Sequence, residues 1–469
     1  MNTIRKYISL ISSVSCLSLF PLTEVSIAQD TSYPSNRAIS TLNPFDVLAK
    51  TPFDIATLEL IRELETPSMR EPFNQLKMLI NQSFNSVPQV LQSLENRKAA
   101  EASKQEAFAG FLPKLSVASG KGRTEYNNYP EVSSRSSSLT ASQLVYDFGS
   151  TSATYDAADA RAKASVQQEN TERTKILSSM LRAIFDLERA RKNLFFARGY
   201  VASREQFYNV TVEREKIGGG SQLDVIRART KVAEASDEIP NAMRELALAE
   251  SKFKELFGES PPARKLIYRL PSVDVPVQTD YDLIIRRTPT FINANLSALA
   301  AQNEYSANKG KLWGGINFEV SNNQSGVGTA VESKQINSQF IYRADLFSGF
   351  AQAARINAAA HRFSQAENER ERIYRELMTS LVNAEQALGA AQATKLNRID
   401  LVSGSRRTDS STRELFLMGK SPLSDVFRSQ EEFFSAVQKL IKSQFEYEVS
   451  VVEFLASRGE LLALFDLGA

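Results

Sequence analysis

One cysteine, one histidine and one tryptophan occur in 469 residues. So little sulfur and imidazole excludes a Cys/His zinc site within one chain, a disulfide framework and Cys–His catalysis. A Ser-His-Asp triad would have to use His361, which closes an alanine run with no second metal-ligand type of its kind in the chain. Charge of one sign is also lacking. With 56 basic against 54 acidic residues the net charge is +2, so nothing global points to nucleic acid. Past the N-terminal region no run of about 18 apolar residues occurs, so no transmembrane helix is expected. A hydrophobic share of 42% and a charged share of 23% are the balance of a folded protein.

What is present begins with an address. Arg5 and Lys6 precede a mostly apolar stretch, and Ser26-Ile27-Ala28 offers the small residues a signal peptidase reads. The sequence predicts a signal peptide over 1–28, with Cys16 inside it. Residues 29–81 form an extension with prolines at 34, 44, 52, 68 and 72, in which 52–65 reads as a short amphipathic helix.

The rest of the chain repeats once. Pro88 recurs as Pro289, Phe148 as Phe347, Gly219 as Gly419 and Asp224-Val225 as Asp425-Val426, an offset of about 200 residues each time. Each half reads helix, strand pair, very long helix, tight turn, helix. The first repeat covers 82–258 and the second 282–465, with a proline-rich linker at 259–281. Pro88 and Pro289 suit the first turn of a helix, where a missing N–H costs nothing. Asn85 and Ser86 are polar cap candidates beside Pro88.

From Ser150 to Ile217 there is no proline, and the only glycine is Gly199. Ala351 to Met418 is its counterpart. Helices of this length must lie along other helices over their whole extent. Alanines at 153, 157, 160 and 164, and at 351, 354 and 358, suit close helix approach. Gly218-Gly219-Gly220-Ser221 and Gly419-Lys420-Ser421-Pro422 end the long helices. Glycine supplies the left-handed residue and serine caps the returning helix, so each half makes a helical hairpin. Pro240 is expected to interrupt the first returning helix.

Strands are expected at about 114–126, 136–148, 312–323 and 334–347. Ile316, Phe318 and Val320 oppose Asn317, Glu319 and Ser321, and Phe340 and Tyr342 oppose Gln339 and Arg343. In the first half Ala118, Gly120, Gly122, Thr124 and Tyr126 are set against Lys121, Arg123 and Glu125. Period-two alternation fits a soluble sheet with one wet face or a membrane barrel. Four strands alone leave two open edges, which lipid does not tolerate. In a membrane, several chains would have to pool them.

These residues carry a family likeness. Leu112-Pro113-Lys114-Leu115 enters the first strand, and Gln143-Leu144-Val145-Tyr146-Asp147-Phe148-Gly149 leaves the second. Gly220-Ser221-Gln222-Leu223-Asp224-Val225 and Gly419 to Val426 form the two turns. Leu256-Phe257-Gly258 and Leu464-Phe465 close the repeats. Over about residues 80 to 465 the chain resembles the TolC family of outer-membrane efflux and secretion channels. The resemblance implies a mixed α and β membrane protein. It implies a homotrimer pooling its strands into a twelve-stranded outer-membrane barrel, continuous with a periplasmic α-helical barrel. It implies a passive exit duct of a tripartite pump or type I secretion system, with an adaptor protein and an inner-membrane pump of ABC, RND or MFS type as partners. No catalysis, cofactor, metal or nucleic acid is expected. The other reading is a periplasmic helical-hairpin adaptor or scaffold.

Carried over to this chain, the likeness places Asp425, with Arg428 and Asp224, at the periplasmic entrance. It makes Gly218, Gly219, Gly220, Ser221, Gly419, Lys420 and Ser421 the tips that meet the adaptor. Tyr126, Trp313, Phe318, Phe340 and Tyr342 are expected toward lipid or its interface, and Lys121, Arg123, Glu319 and Arg343 toward the lumen. Arg428 stands where some members have a second acid. Gly419-Lys420-Ser421 is not a phosphate loop, because Glu414 occupies the place of the first glycine.

Overall fold

A computed structural model describes residues 51–65, 70–124, 132–263, 270–271, 273, 280–325 and 333–468. The expected signal peptide with Cys16, the anchoring residue Tyr126 and much of the linker at 259–281 lie outside these residues.

The first helices are α1 (Pro52–Glu65), α2 (Arg70–Phe84) and α3 (Pro88–Phe108). Pro88 opens α3, but its cap is Val87, which has no side-chain bond. Ser86 instead donates to the Ser83 carbonyl at 2.7 Å. After the strand pair β1 (Lys114–Thr124) and β2 (Val132–Tyr146) comes α4 (Ser150–Lys216), 67 residues long. The chain returns through α5 (Gln222–Ser236) and α6 (Glu238–Phe257). The break at Asp237 falls where Pro240, in the first turn of α6, removes a backbone donor.

The second repeat follows the same plan. It contains α7 (Tyr281–Arg287), α8 (Pro289–Gly310), β3 (Gly315–Ser325), β4 (Ser333–Arg343) and α9 (Ala351–Leu417). α10 (Leu423–Ser457) returns unbroken for 35 residues, and α11 (Leu461–Leu464) ends the chain. At 67 residues, α4 and α9 each span roughly 100 Å at 1.5 Å per residue.

α4 and α8 run against each other. Ala157, Ala160 and Ala164 are buried, as are Ala294, Ala298 and Ala307 on α8. Ser150 Oγ donates to the Ala307 carbonyl at 3.1 Å. At Gly310 a β-carbon would stand 3.0 Å from the Ser150 nitrogen and 3.1 Å from the Phe148 carbonyl oxygen, so a side chain there would crowd the start of α4 and glycine suits the close approach. The alanine stripe of the second repeat behaves differently, with Ala354 and Ala358 exposed.

One hydrophobic core joins the ends of both repeats. Leu177, Met180, Ile184 and Phe185 of α4 meet Phe253 and Phe257 of α6, Leu455 of α10, and Leu461 and Phe465 near the C-terminus. Ile80 and Phe84 of α2 close it. Burying each such side chain contributes about 1.5–3 kcal/mol.

The four strands form one antiparallel sheet in the order β1-β2-β3-β4. β1 and β4 are its edges and have no second partner strand among the described residues. One register row runs Leu115, Ala141, Val320, Ser338, and the next runs Val117, Leu139, Asn322, Ile336. With Phe318 paired to Phe340 and Ile316 to Tyr342, these rows make one face largely apolar. The opposite face carries Ala118, Gly120, Ser138, Thr140, Glu319 and Gln339.

This register corrects one expectation. Lys121 pairs with Arg135 and Arg123 with Ser133, which puts both positions on the face of Phe318 and Phe340, not on that of Glu319 and Arg343. The apolar members of β1 are Leu115 and Val117, 73% and 74% exposed, and two- and four-residue steps lead from them to Lys121 and Arg123. Toward its far end the other face of β1 is built from Gly120, Gly122 and Thr124, so alternation there gave no apolar signal to orient it.

Candidate functional site: the hairpin end and the sheet

The two hairpin tips lie side by side. Gly218 and Gly419 take φ of +75° and +73°, the left-handed conformation that residues with a β-carbon avoid. In each, a doubled bond pattern closes the long helix. Gly218 N–H donates to Glu215 and Gly219 N–H to Arg214. Gly419 N–H donates to Phe416 and Lys420 N–H to Leu415. Phe207 of α4 packs between Phe416 of α9 and Phe427 of α10, with ring centroids 5.2 and 5.8 Å away. Leu423, Val426 and Val210 complete this cluster.

Two arginines bind the hairpins together, and a third ties the second hairpin to α1. Arg214 Nη1 donates to the Phe416 carbonyl at 2.5 Å and Nη2 to the Gly219 carbonyl at 3.2 Å, so one side chain spans both tips. Its guanidinium lies 4.3 Å from the Phe416 ring centroid. Arg204, buried, donates to Gln430 Oε1 at 2.8 Å, to Tyr200 Oη at 2.5 Å and to the Phe427 carbonyl at 3.2 Å. Arg413 is 1% exposed. Its Nη2 lies 2.8 Å from an oxygen of Asp409 on its own helix and 2.8 Å from Asp54 Oδ2 on α1.

Asp54 therefore ties the N-terminal extension to the second hairpin. It also closes the start of α1, where Thr51 N–H and Oγ donate to its Oδ2 at 2.9 and 2.8 Å. Phe53, Leu60 and Ile61 seat α1 on Phe196, Tyr200, Phe433 and Val437. Two carboxylates share one buried guanidinium. Burial pushes the Asp409 carboxyl up to about 6, against Arg413, which pulls it down, and with Asp54, which adds to the rise.

The expected entrance residues are placed as follows. Asp425, in the first turn of α10, lies 3.7 Å from Arg428, both side chains well exposed. Asp224 is engaged locally. It accepts from the Ser221 N–H at 3.3 Å while Ser221 Oγ accepts from the Asp224 N–H at 3.2 Å, a reciprocal cap on α5. Gly219, Gly220, Ser221, Lys420 and Ser421 lie in the two turns. On the sheet, Phe318 and Phe340 rings are 4.9 Å apart, and Tyr342 Oη donates to the Trp313 carbonyl at 2.8 Å. Lys114, Ser142, Glu319 and Gln339 form one row of the polar face. His361 is exposed, and no cluster of metal ligands occurs among the described residues. Among those residues no helix is long and apolar enough to cross a membrane.

Sequence reading missed Asp54, Arg204, Arg214, Asp409 and Arg413. A signal existed. Tyr200, Arg204 and Phe207 follow the four-and-three spacing of a buried helix stripe, as do Asp409, Arg413 and Phe416. A charged residue at such a position demands a partner.

The fold is thus a duplicated pair of helical hairpins sharing one antiparallel sheet. Residues 79–259 match the outer membrane efflux protein family. The chain is 21% identical over 412 residues to outer membrane protein TolC of Vibrio cholerae, covering 82% of this chain and 91% of that protein. Among solved structures it is similar to CusC, with a TM-score of 0.75, 16% identity and coverage of 82% of this chain and 92% of CusC. The outer membrane protein VceC of Vibrio cholerae gives 0.73 at 15% identity, covering 82% and 96%. The MtrE outer membrane channel of Neisseria gonorrhoeae, in its open state, gives 0.71 at 16%, covering 82% and 89%. The chain shares the fold of these outer-membrane channels over 82% of its length.

Proposed function

We propose that this protein is the outer-membrane exit duct of a tripartite efflux or secretion system, conducting its cargo passively. One observation carries the reading. A four-stranded sheet with two open edges and an apolar face stands on helices of 67 residues. Open edges are not tolerated in lipid, so three copies pool their strands into a twelve-stranded barrel. The long helices then line a tube through the periplasm. The family match and the channel structures favour this duct over a periplasmic adaptor or scaffold.

The hairpin tips form the periplasmic entrance and meet the adaptor, and an inner-membrane pump supplies the energy. Asp425 from each copy contributes a ring of like charge that favours cations, tempered by Arg428. Glu319, Arg343 and Lys114 face the lumen, while Phe318, Phe340 and Tyr342 face lipid and Trp313 sits at the interface.

The test is single-channel conductance of the purified protein in planar bilayers beside Asp425→Ala. Discrete, cation-preferring steps that grow in the variant are expected. Silence from protein that stays soluble without detergent would give the scaffold reading the field. Equal conductance and selectivity in both proteins would remove Asp425 from the entrance.

A further inference from the structure

The apolar face of the sheet is layered along the strands. Nearest the helices stand aromatic residues, with the Tyr146 and Trp313 rings 4.9 and 6.2 Å from Phe148. The apolar rows follow, from Ile316 and Tyr342 to Val117, Leu139 and Ile336. Beyond them the same face turns basic. Lys334 stands one row past Ile336, in register with Gln324, and Lys121 stands opposite Arg135 one row further on.

All three side chains are exposed, and none has an ion-pair partner among the described residues. That face has no carboxylate among them either. Glu125, Glu131 and Glu332 lie outside the described residues. Like charges directly opposite on neighbouring strands destabilise a sheet. An anion bridging Lys121 and Arg135 would turn that repulsion into attraction, and the guanidinium fork of Arg135 suits phosphate. The ligand must also lie along the apolar rows, because cations and apolar side chains share one face. An amphipathic anion meets both demands and a soluble one does not.

We propose that Lys121, Arg135 and Lys334 form a girdle that binds the phosphate groups of anionic lipid in the outer leaflet of the outer membrane. The proposal rests on the barrel reading above. With the helices in the periplasm, the strand ends farthest from them reach the outer leaflet. Barrel closure sets β4 beside β1 of the next copy, so Lys334 approaches the neighbouring Lys121–Arg135 pair and the girdle becomes continuous.

The test compares full-length purified protein with the variant Lys121→Gln/Arg135→Gln/Lys334→Gln. Both are reconstituted with phosphatidylcholine and bis-phosphorylated lipid A, re-extracted, and assayed for bound lipid A by native mass spectrometry. The wild type is expected to retain lipid A, the triple variant about tenfold less, and the charge-conserving Lys121→Arg/Arg135→Lys/Lys334→Arg as much as wild type. Equal retention by wild type and the glutamine variant overturns the proposal. So does displacement of lipid A by inorganic phosphate at equal concentration, which would mark a soluble-anion site. Conductance of the same samples separates the two readings. Wild-type conductance in a triple variant that has lost lipid A isolates the girdle, whereas a wild type that forms no channel sinks the duct and the girdle with it.

Discussion

The two long helices have equal length and equivalent places in the repeat, yet they are buried very differently. α4 buries 27 of its 67 residues and α9 buries 7 of 67. α4 is the mast of the protomer, packed by α3, α5, α6, α8 and α10. α9 leaves Val382, Leu396, Leu401 and Leu415 exposed, and three of its seven buried residues, Asp409, Arg413 and Phe416, lie in its last turns. Duplication thus gave two copies of one element and two tasks. One copy holds the chain together. The other packs along α8 and α10, carries an ionic anchor at the hairpin end, and leaves an apolar stripe exposed on its outer side.

The sharpest way to break the comparison is to remove α9's ionic anchor. Arg413→Ala strands Asp54 and Asp409 in a buried site and should cost about 3–5 kcal/mol. Phe185→Ala, in the main core around α4, should cost a similar 3–5 kcal/mol through its cavity. Denaturant unfolding of the detergent-extracted protein reads both totals. Limited proteolysis reads the difference: Arg413→Ala should open sites within 351–417 first, and Phe185→Ala should not. The same cleavage order in both variants would show that α9 has no separate anchorage.

A second contrast divides the sheet by face. Phe340→Arg places a charge on the apolar rows and should cost about 2–4 kcal/mol in a barrel strand at the bilayer midplane. Gln339→Arg, next to it on the polar face, should leave assembly intact. Folded, heat-resistant oligomer on unboiled gels checks both. Normal yield of Phe340→Arg would reverse the assigned facing.

Much of this frame was legible before any coordinates. The prolines at 88 and 289, the glycines at 218 and 419, and the proline-free stretches mark element ends, because each acts through local backbone chemistry. β3 and β4 were readable because Ile316, Phe318, Phe340 and Tyr342 alternate strictly with polar residues. The facing of β1 was not, since its apolar residues stop at Val117 and only pairing with β2 links Lys121 to that face. The Asp54–Arg413 contact was equally hidden. It joins residues 359 apart in sequence, and no local rule connects them. Pro52–Glu65 was readable as a helix, while the surface it docks on, Phe196, Tyr200 and Phe433, is set by tertiary packing alone.

The exposed stripe of α9 gives a smaller effect that sharpens the comparison. Leu396 is 58% exposed, whereas Leu388 is fully buried. In a dispersed protomer Leu396→Ala should change stability by less than about 0.5 kcal/mol, against about 2–5 kcal/mol for Leu388→Ala. If neighbouring copies cover the stripe, Leu396→Glu lowers the oligomer fraction in sedimentation while protomer helicity is kept. An unchanged oligomer would mean that the stripe faces something other than a second copy.

The mildest perturbation is a proton. The folded carboxyl of Asp409 titrates near 6, above an ordinary aspartate at about 3.9. Between those values the folded protein holds the proton that the unfolded chain has released. Stability from this group is therefore greatest at low pH and falls as pH rises through the window from about 4 to 6, then levels off. Burial is the main cause, and the nearby Asp54 carboxylate adds to it, because one guanidinium serves two buried carboxylates. Asp409→Asn leaves Arg413 paired with Asp54 and removes the charge in excess. It should flatten the pH profile of unfolding between 4 and 6 and leave the hairpin end more stable at pH 7 than in wild type. The Asp54→Asn variant tests the sharing directly, because without the competing carboxylate the Arg413 charge belongs to Asp409 and its titration should move downward. A wild-type profile that rises with pH across the same window would show Asp409 and Arg413 acting as a simple ion pair, with α1 contributing only its apolar face.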